Sequence, residues 1–242
     1  MSRGDPIPGA ASFAEALVQQ VAFGTLAAVA LPQEGIAPEH LEGLHEKERV
    51  FALALRGRRR IEWVGGRLAL RRAAAARGLE LGPVLPSASG APVLPPGVVA
   101  SISHKRRLAA ALVAEGEATL GVDLEELGPP RPAIAPRILD AEEFATWMRL
   151  PDEERWPFLV RRFALKEAAY KAIYPHVRRF VSFQEARIPR AEPGPVAIEL
   201  RLRGGRVPIE LEAELREEGG HVWALVRATP RPTSSGRGEW RS

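Results

Sequence analysis

The stretch Thr119-Leu120-Gly121-Val122-Asp123-Leu124-Glu125 constrains the fold more than any other. Leu120, Val122 and Leu124 alternate with Gly121, Asp123 and Glu125, and strand side chains point to opposite faces with a period of two. A strand is predicted, with its aliphatic set in a core and Asp123 and Glu125 projecting together from the other face. Two adjacent carboxylates repel unless a cation, a proton donor or water separates them. Mg²⁺ suits such a pair, because it binds through one or two carboxylates and completes its octahedron with water and phosphate oxygens. On this stretch alone, a strand with a merely wetted outer face is the simpler reading.

A chain of 242 residues holds one large domain or two small ones. No apolar run approaches the length of a membrane span, and Asp5, Pro6 and Pro8 interrupt the order of a signal peptide. Cysteine is absent, which excludes disulfides and thiolate zinc sites and fits a cytoplasmic location. The net charge of +4 and pI near 9.9 favour phosphorylated ligands or acidic protein surfaces as partners. Nucleic acid fits the same charge, but 34 basic residues are mixed with 30 acidic ones, and no basic tail stands out. An arginine-rich composition inherited from a high-GC genome accounts for much of the excess.

Residues 1–10 read as a loose arm. Ser12 and Glu15 have the form of a capping box before a helix over Phe13–Val21, followed by a strand through Thr25–Leu31. Pro38 suits the first turn of a helix to about Leu55, which Gly57 ends. A second helix is predicted from about Arg59 to Arg77. Residues 82–97, rich in Pro, Gly and Ser, should be an irregular loop. Val98–Ser103, Leu108–Ala114 and Thr119–Leu127 read as strands, the last two joined by a turn at Glu115–Ala118. Prolines between 129 and 136 mark a connection. Asp140 and Glu143 form a second capping box before a helix to about Leu150. Another helix spans roughly Trp156–Tyr174, halted by Pro175, with Leu159, Phe163, Tyr170 and Tyr174 as its buried stripe. Strands over Phe180–Ile188, Val196–Leu202, Val207–Leu215 and Val222–Arg227 read as an antiparallel meander, and residues 230–242 as a disordered tail. The order strand, helix, helix, strands recurs on either side of about residue 120, so two similar α+β halves, 1–120 and 121–229, are expected.

Three further stretches bear on Asp123 and Glu125. On the helix around Arg162–Lys171, Glu167 sits at the edge of the predicted stripe with Lys171 one turn on. A salt bridge between them, worth only about 0.2–0.5 kcal/mol, is the ordinary alternative. Ser101-Ile102-Ser103-His104 ends a strand ahead of Lys105-Arg106-Arg107, and such a loop can donate to phosphate oxygens; a lone loop histidine is more often simply exposed. Arg58-Arg59-Arg60 and Arg67 line the second helix, where a solvated basic face is the default.

Together these pieces resemble the 4′-phosphopantetheinyl transferases, specifically the surfactin-type group and its enterobactin-synthetase component D branch. The resemblance lies in G-V-D-L-E at Gly121–Glu125, S-I-S-H at Ser101–His104, and F-A-L-K-E-A-A-Y-K-A at Phe163–Ala172. It extends to Ile173-Tyr174-Pro175, to R-x-x-E-x-x-x-G-R at Arg59–Arg67, and to G-x-P at Gly90–Pro92. It implies an α+β pseudo-dimer of two similar halves with coenzyme A in the cleft between them. The implied reaction moves the phosphopantetheine arm of coenzyme A onto a serine of an acyl or peptidyl carrier protein and releases adenosine 3′,5′-bisphosphate. By the same resemblance Asp123, Glu125 and Glu167 hold Mg²⁺ with the pyrophosphate, and Glu167 by preference takes the serine proton. Lys171 neutralises the pyrophosphate and serves the leaving phosphate. Arg59, Arg67 and His104 grip the nucleotide phosphates, with Ser103, Lys166 and the Gly90 backbone alongside. The expected carrier is acidic, and a fold that already contains a pseudo-dimer works as a monomer, with no nucleic acid or membrane partner.

The chain departs from the family pattern in three places. Ser87-Ala88-Ser89 offers no basic residue before the G-x-P, Lys105 stands where the branch often has cysteine, and Ala164 and Ala168 replace common serines. The rival readings are a basic module gripping nucleic-acid backbones, a Mg²⁺ phosphohydrolase using the same acids, and a silent coenzyme A-binding relative. The first lacks the stacking aromatics that single-strand binders use. The last is disfavoured by the presence of all three acids and Lys171.

Overall fold

A computed structural model describes residues 13–88, 90–205 and 207–231. Strands β1 (Glu15–Val21) and β2 (Gly24–Ala30) form a hairpin. A 3-10 turn at Pro38–Leu41 leads to helices α1 (Glu46–Ala54) and α2 (Gly57–Ala75), then to strands β3 (Val98–His104) and β4 (Leu108–Glu115). The second half runs from β5 (Thr119–Glu126) through α3 (Ala135–Ile138), α4 (Ala141–Arg149) and the long α5 (Asp152–Val177). It closes with the short strands β6 (Ala186–Arg187), β7 (Gly194–Val196) and β8 (Glu199–Leu200), then β9 (Ile209–Glu218) and β10 (His221–Pro230).

Two four-stranded antiparallel sheets result, ordered β1-β2-β4-β3 and β5-β10-β9-β7, together with a two-stranded ladder of β6 and β8. β2, β4 and β10 read as almost unbroken apolar runs because both of their faces are buried. One face of each sheet meets the other sheet, where Leu26, Leu108 and Leu112 pack with Leu120, Leu124 and Leu225. The outer face of the first sheet is covered by α2 through Val64, Leu68 and Ala69. That of the second is covered by α5 through Leu165, Ala168 and Ala172. The expected recurrence is present in the topology: β2-α2-β3-β4 places its last strand beside its first, and β5-α5-β9-β10 does the same.

Several boundaries differ from expectation. Residues 15–21 pair with β2 rather than forming a helix, because Leu17 and Val21 gain the core between the sheets and Val18 the core under α2. The predicted helix from Pro38 is broken into a 3-10 turn and α1. Gly57, at φ +52°, begins α2 rather than ending its predecessor. β4 and β5 are consecutive but unpaired, since β5 pairs with β10 in the other sheet. The meander fails in part: β8 pairs with β6, and β9 with β7 and β10. Pro175 does not halt α5, which ends two residues later with Arg178 left-handed at φ 47° and donating to the Tyr174 carbonyl. The Asp140–Glu143 capping box forms as read, with N–H···O distances of 2.8 and 2.9 Å. Ser12, the arm before it and the predicted tail from 232 onward lie outside the described residues.

Candidate active site

β5 is an edge strand, and an edge strand leaves backbone groups in need of partners. On that edge the Val122 N–H donates to the Ser101 hydroxyl at 3.0 Å. The Val122 carbonyl accepts from the Lys171 ammonium at 2.8 Å. One residue of β5 is thus held by β3 of the first half and by α5 of its own. Gly121 permits this closeness: a Cβ there would lie 1.8 Å from the Ala168 carbonyl oxygen.

The same two elements hold Asp123. Its Oδ1 accepts from the Ser103 hydroxyl and from Lys171 Nζ, both at 2.8 Å. Its Oδ2 is buried with no partner. Glu125 Oε1 lies 2.5 Å from Lys105 Nζ. Burial pushes the Glu125 carboxyl up to about 7, and the charges of Asp123 and Glu167 push the same way against the pull of Lys105. Glu167 is also raised, first by burial and then by Asp123. The three acids therefore feel one another. They are not gathered: among the described residues, no three acidic or imidazole groups already form a metal-holding set. The expected convergence is incomplete for a physical reason, since like charges stay apart and two ammonium groups sit where a cation would draw them together. The donor set still fits a hard divalent ion, being carboxylate oxygen throughout, with one Asp123 oxygen anchored and the other bare.

Beside this cluster lies a cleft of about 700 Å³, within the roughly 300–1,000 Å³ usual for cofactor-sized ligands. Both halves line it, with Arg59, Arg67, Gly90 and His104 from the first and Tyr170, Lys171 and Tyr174 from the second. Its apolar wall includes Phe51, Trp63, Leu94 and Ile102. Burial lowers the His104 pKa; Glu62 opposes that shift, while Arg59, Lys171 and Arg58 add to it. The cations crowding this imidazole make a positive field suited to an anionic ligand.

The structure separates arginines that look alike in sequence. Arg58 is tied to Glu62 at 3.0 Å, and Arg60 to the Leu55 and Leu53 carbonyls. Arg59 is exposed on the cleft wall and has no ion pair among the described residues. Arg67 is 4% exposed, donates to the Val84 carbonyl at 2.7 Å and stacks 4.8 Å from the Trp63 ring centroid. It borders the cleft while supporting the loop behind it, and burial lowers its pKa to about 10.

Other expectations require correction. Lys166 is 2% exposed, with Nζ 2.5 Å from Glu143 and 2.8 Å from the Ile138 carbonyl; it ties α5 to α3 and α4 and does not reach the cleft. The Ser103 hydroxyl is engaged by Asp123 rather than offered to a phosphate. Of the predicted stripe of α5 only Leu159 is buried, with Leu165, Ala168, Ala169, Ala172 and Ile173 forming the rest of the buried face and Phe163, Tyr170 and Tyr174 left half-exposed. No salt bridge joins Glu167 to Lys171, because Lys171 turns to Asp123. Two residues went unassigned in sequence. Lys105 reads in sequence only as one cation of a loop able to donate to phosphate and as a departure from the family, with no tie to Glu125, and the Trp63 indole N–H, buried and unpartnered on the cleft wall, carries no sequence signal.

Comparisons with known proteins cover both halves. Residues 46–114 match the family model described as 4′-phosphopantetheinyl transferase N-terminal domain, and residues 119–226 match that of the 4′-phosphopantetheinyl transferase superfamily. The chain is 36% identical to the Streptomyces mobaraensis 4′-phosphopantetheinyl transferase Svp, over 59% of this chain and 64% of that one. It is 31% identical to the Nocardia iowensis 4′-phosphopantetheinyl transferase Npt, over 62% and 68%. Against the Mycobacterium tuberculosis 4′-phosphopantetheinyl transferase PptT the identity is 31%, over 68% and 77%. Among solved structures, the Thermotoga maritima holo-[acyl-carrier-protein] synthase shares 25% identity over 46% of this chain and 63% of that one, with a TM-score of 0.38.

Proposed function

The chain belongs to the 4′-phosphopantetheinyl transferase superfamily, and we propose that it transfers the phosphopantetheine arm of coenzyme A to a serine hydroxyl of an acyl or peptidyl carrier protein. The observation that carries this reading is Asp123. Ser103 and Lys171 fix one of its oxygens, and the other is buried and bare, beside a cation-lined cleft shared by both halves.

In this reading Asp123, Glu125 and Glu167 hold Mg²⁺, which when bound neutralises the pyrophosphate of coenzyme A. Arg59 and His104 bind the nucleotide phosphates, with the Gly90 loop against them, and Arg67 keeps that wall in place. The aromatic and aliphatic wall takes the uncharged parts of the ligand. Lys171 lines the cleft one contact away from Asp123 and places its charge on the pyrophosphate.

The serine oxygen forms its bond to the phosphorus carrying the pantetheine arm. The bridging bond to the adenosine 5′-phosphate breaks, and adenosine 3′,5′-bisphosphate leaves with the electron pair. The serine proton passes to Glu167, the carboxylate this reading makes the general base. Phosphoryl transfer is chiefly positioning and charge neutralisation, which this set of side chains supplies. The net charge of +4 favours an acidic carrier, and the reading places a monomer in the cytoplasm.

The test is intact-mass analysis of an apo-carrier incubated with coenzyme A, Mg²⁺ and the enzyme. Asp123→Ala and Glu167→Gln should each abolish the mass gain while retaining a cooperative thermal transition. Full transfer by either variant removes the assignment.

A further inference from the structure

Of the basic run Lys105-Arg106-Arg107, only Lys105 turns inward; Arg106 and Arg107 are exposed. Its ammonium lies 2.5 Å from Glu125 Oε1 and 5.7 Å from the Phe163 ring centroid on α5. Its backbone is fixed at both ends: the N–H donates to the Leu108 carbonyl at 2.8 Å, and the carbonyl accepts from Arg58 at 2.9 Å. The charge is therefore delivered by a tight turn between β3 and β4. Three carboxylates then face two ammonium groups, Lys105 on Glu125 and Lys171 on Asp123. With an ammonium already on two of the three carboxylates, little negative charge is left for a divalent ion.

We propose that Lys105 is a built-in counter-cation that occupies Glu125 until substrate arrives, so that the chain binds its divalent ion strongly only together with coenzyme A. The inference rests on the reading that Asp123, Glu125 and Glu167 hold the metal. The pyrophosphate brings the negative charge that the apo site lacks. The Lys105 side chain is long, one-third exposed and carries three donors, so it can move from Glu125 to a phosphate oxygen as the ion takes its place. Metal and nucleotide then become linked ligands, each tightening the other by the same factor. Lys105 acts through Glu125 and is a positioning residue, not one that reacts.

The experiment titrates Mn²⁺ into the full-length protein and reads free Mn²⁺ by electron paramagnetic resonance, with and without coenzyme A. In the wild type, coenzyme A should tighten Mn²⁺ binding markedly. Lys105→Met should bind Mn²⁺ without coenzyme A roughly tenfold tighter, the scale on which one neighbouring charge acts, and should lose most of the tightening by coenzyme A. A misfolded variant does not gain affinity, and Lys105→Arg, which keeps the charge, should behave as wild type. Lys105→Met with wild-type or weaker Mn²⁺ affinity overturns the proposal. If Asp123→Ala and Glu167→Gln abolish Mn²⁺ binding in the same assay, the metal assignment stands even then; if they leave it intact, both readings fall.

Discussion

Asp123 shows how much of a site can depend on one buried side chain. Its fixed oxygen takes two donors and its other oxygen none, so it has room for one more partner, which in the proposed reading is a cation. Glu125 responds differently, because burial beside two other acids raises its carboxyl from 4.5 to about 7. A carboxyl raised in the folded state stabilises the fold while protonated. That stability is full below the unfolded value and is lost as pH climbs through about 7. The metal-free protein should therefore melt lower at about pH 8 than at about pH 5, and Mg²⁺ added together with coenzyme A should raise the melting temperature mainly at the higher pH, since metal and proton compete for the same oxygens. A Mg²⁺ shift of equal size at both pH values would show that these carboxylates do not bind it. The arginines divide by the same logic of partners. Arg59→Ala should raise KM for coenzyme A and leave the melting temperature unchanged, because its exposed guanidinium makes no ion pair among the described residues. Arg67→Ala should also cost about 1–3 kcal/mol of stability, as removal of a buried hydrogen-bonding group does. Urea denaturation together with substrate saturation curves separates the two effects.

At the scale of elements, the close contact of β5 with α5 sets the distances between the acids. Gly121→Ala would push a methyl group into the Ala168 carbonyl, so the helix must shift, at about 1–3 kcal/mol and with loss of transfer activity from displaced Glu167 and Lys171. Wild-type stability and activity in that variant would mean that the contact does not govern the site. Much at this scale was legible. β3, β4 and β5 carry strong alternation or apolar runs, and α4 has its capping box. The misses share a cause. The Ser12–Glu15 spacing mimics a helix start, yet pairing with the fully buried β2 decides the conformation of residues 15–21. Lys166 and Lys171 sit on one helix in similar local sequence; which meets Glu143 and which meets Asp123 depends on elements more than twenty residues away. The role of Lys105 was illegible for the same reason, since Glu125 reaches it only across the joint between the two sheets.

For the whole molecule, the repeated strand-helix-hairpin unit gives two sheets that share one core, and the cleft opens where their edge strands meet. In the proposed reading neither half holds a complete site. The first contributes Arg59, His104 and Ser103, and the second contributes the acids and Lys171. That division explains why a nucleotide-sized ligand lodged between them would also brace the fold. The direct measurement of the central claim is the intact mass of a panel of apo-carrier proteins after incubation with this chain, coenzyme A and Mg²⁺, with and without a chelator. The account predicts a phosphopantetheine mass gain on at least one carrier that disappears with the chelator and with removal of the acceptor serine. Cleavage of coenzyme A at the same rate without any carrier, or transfer that persists in the chelator, would contradict it.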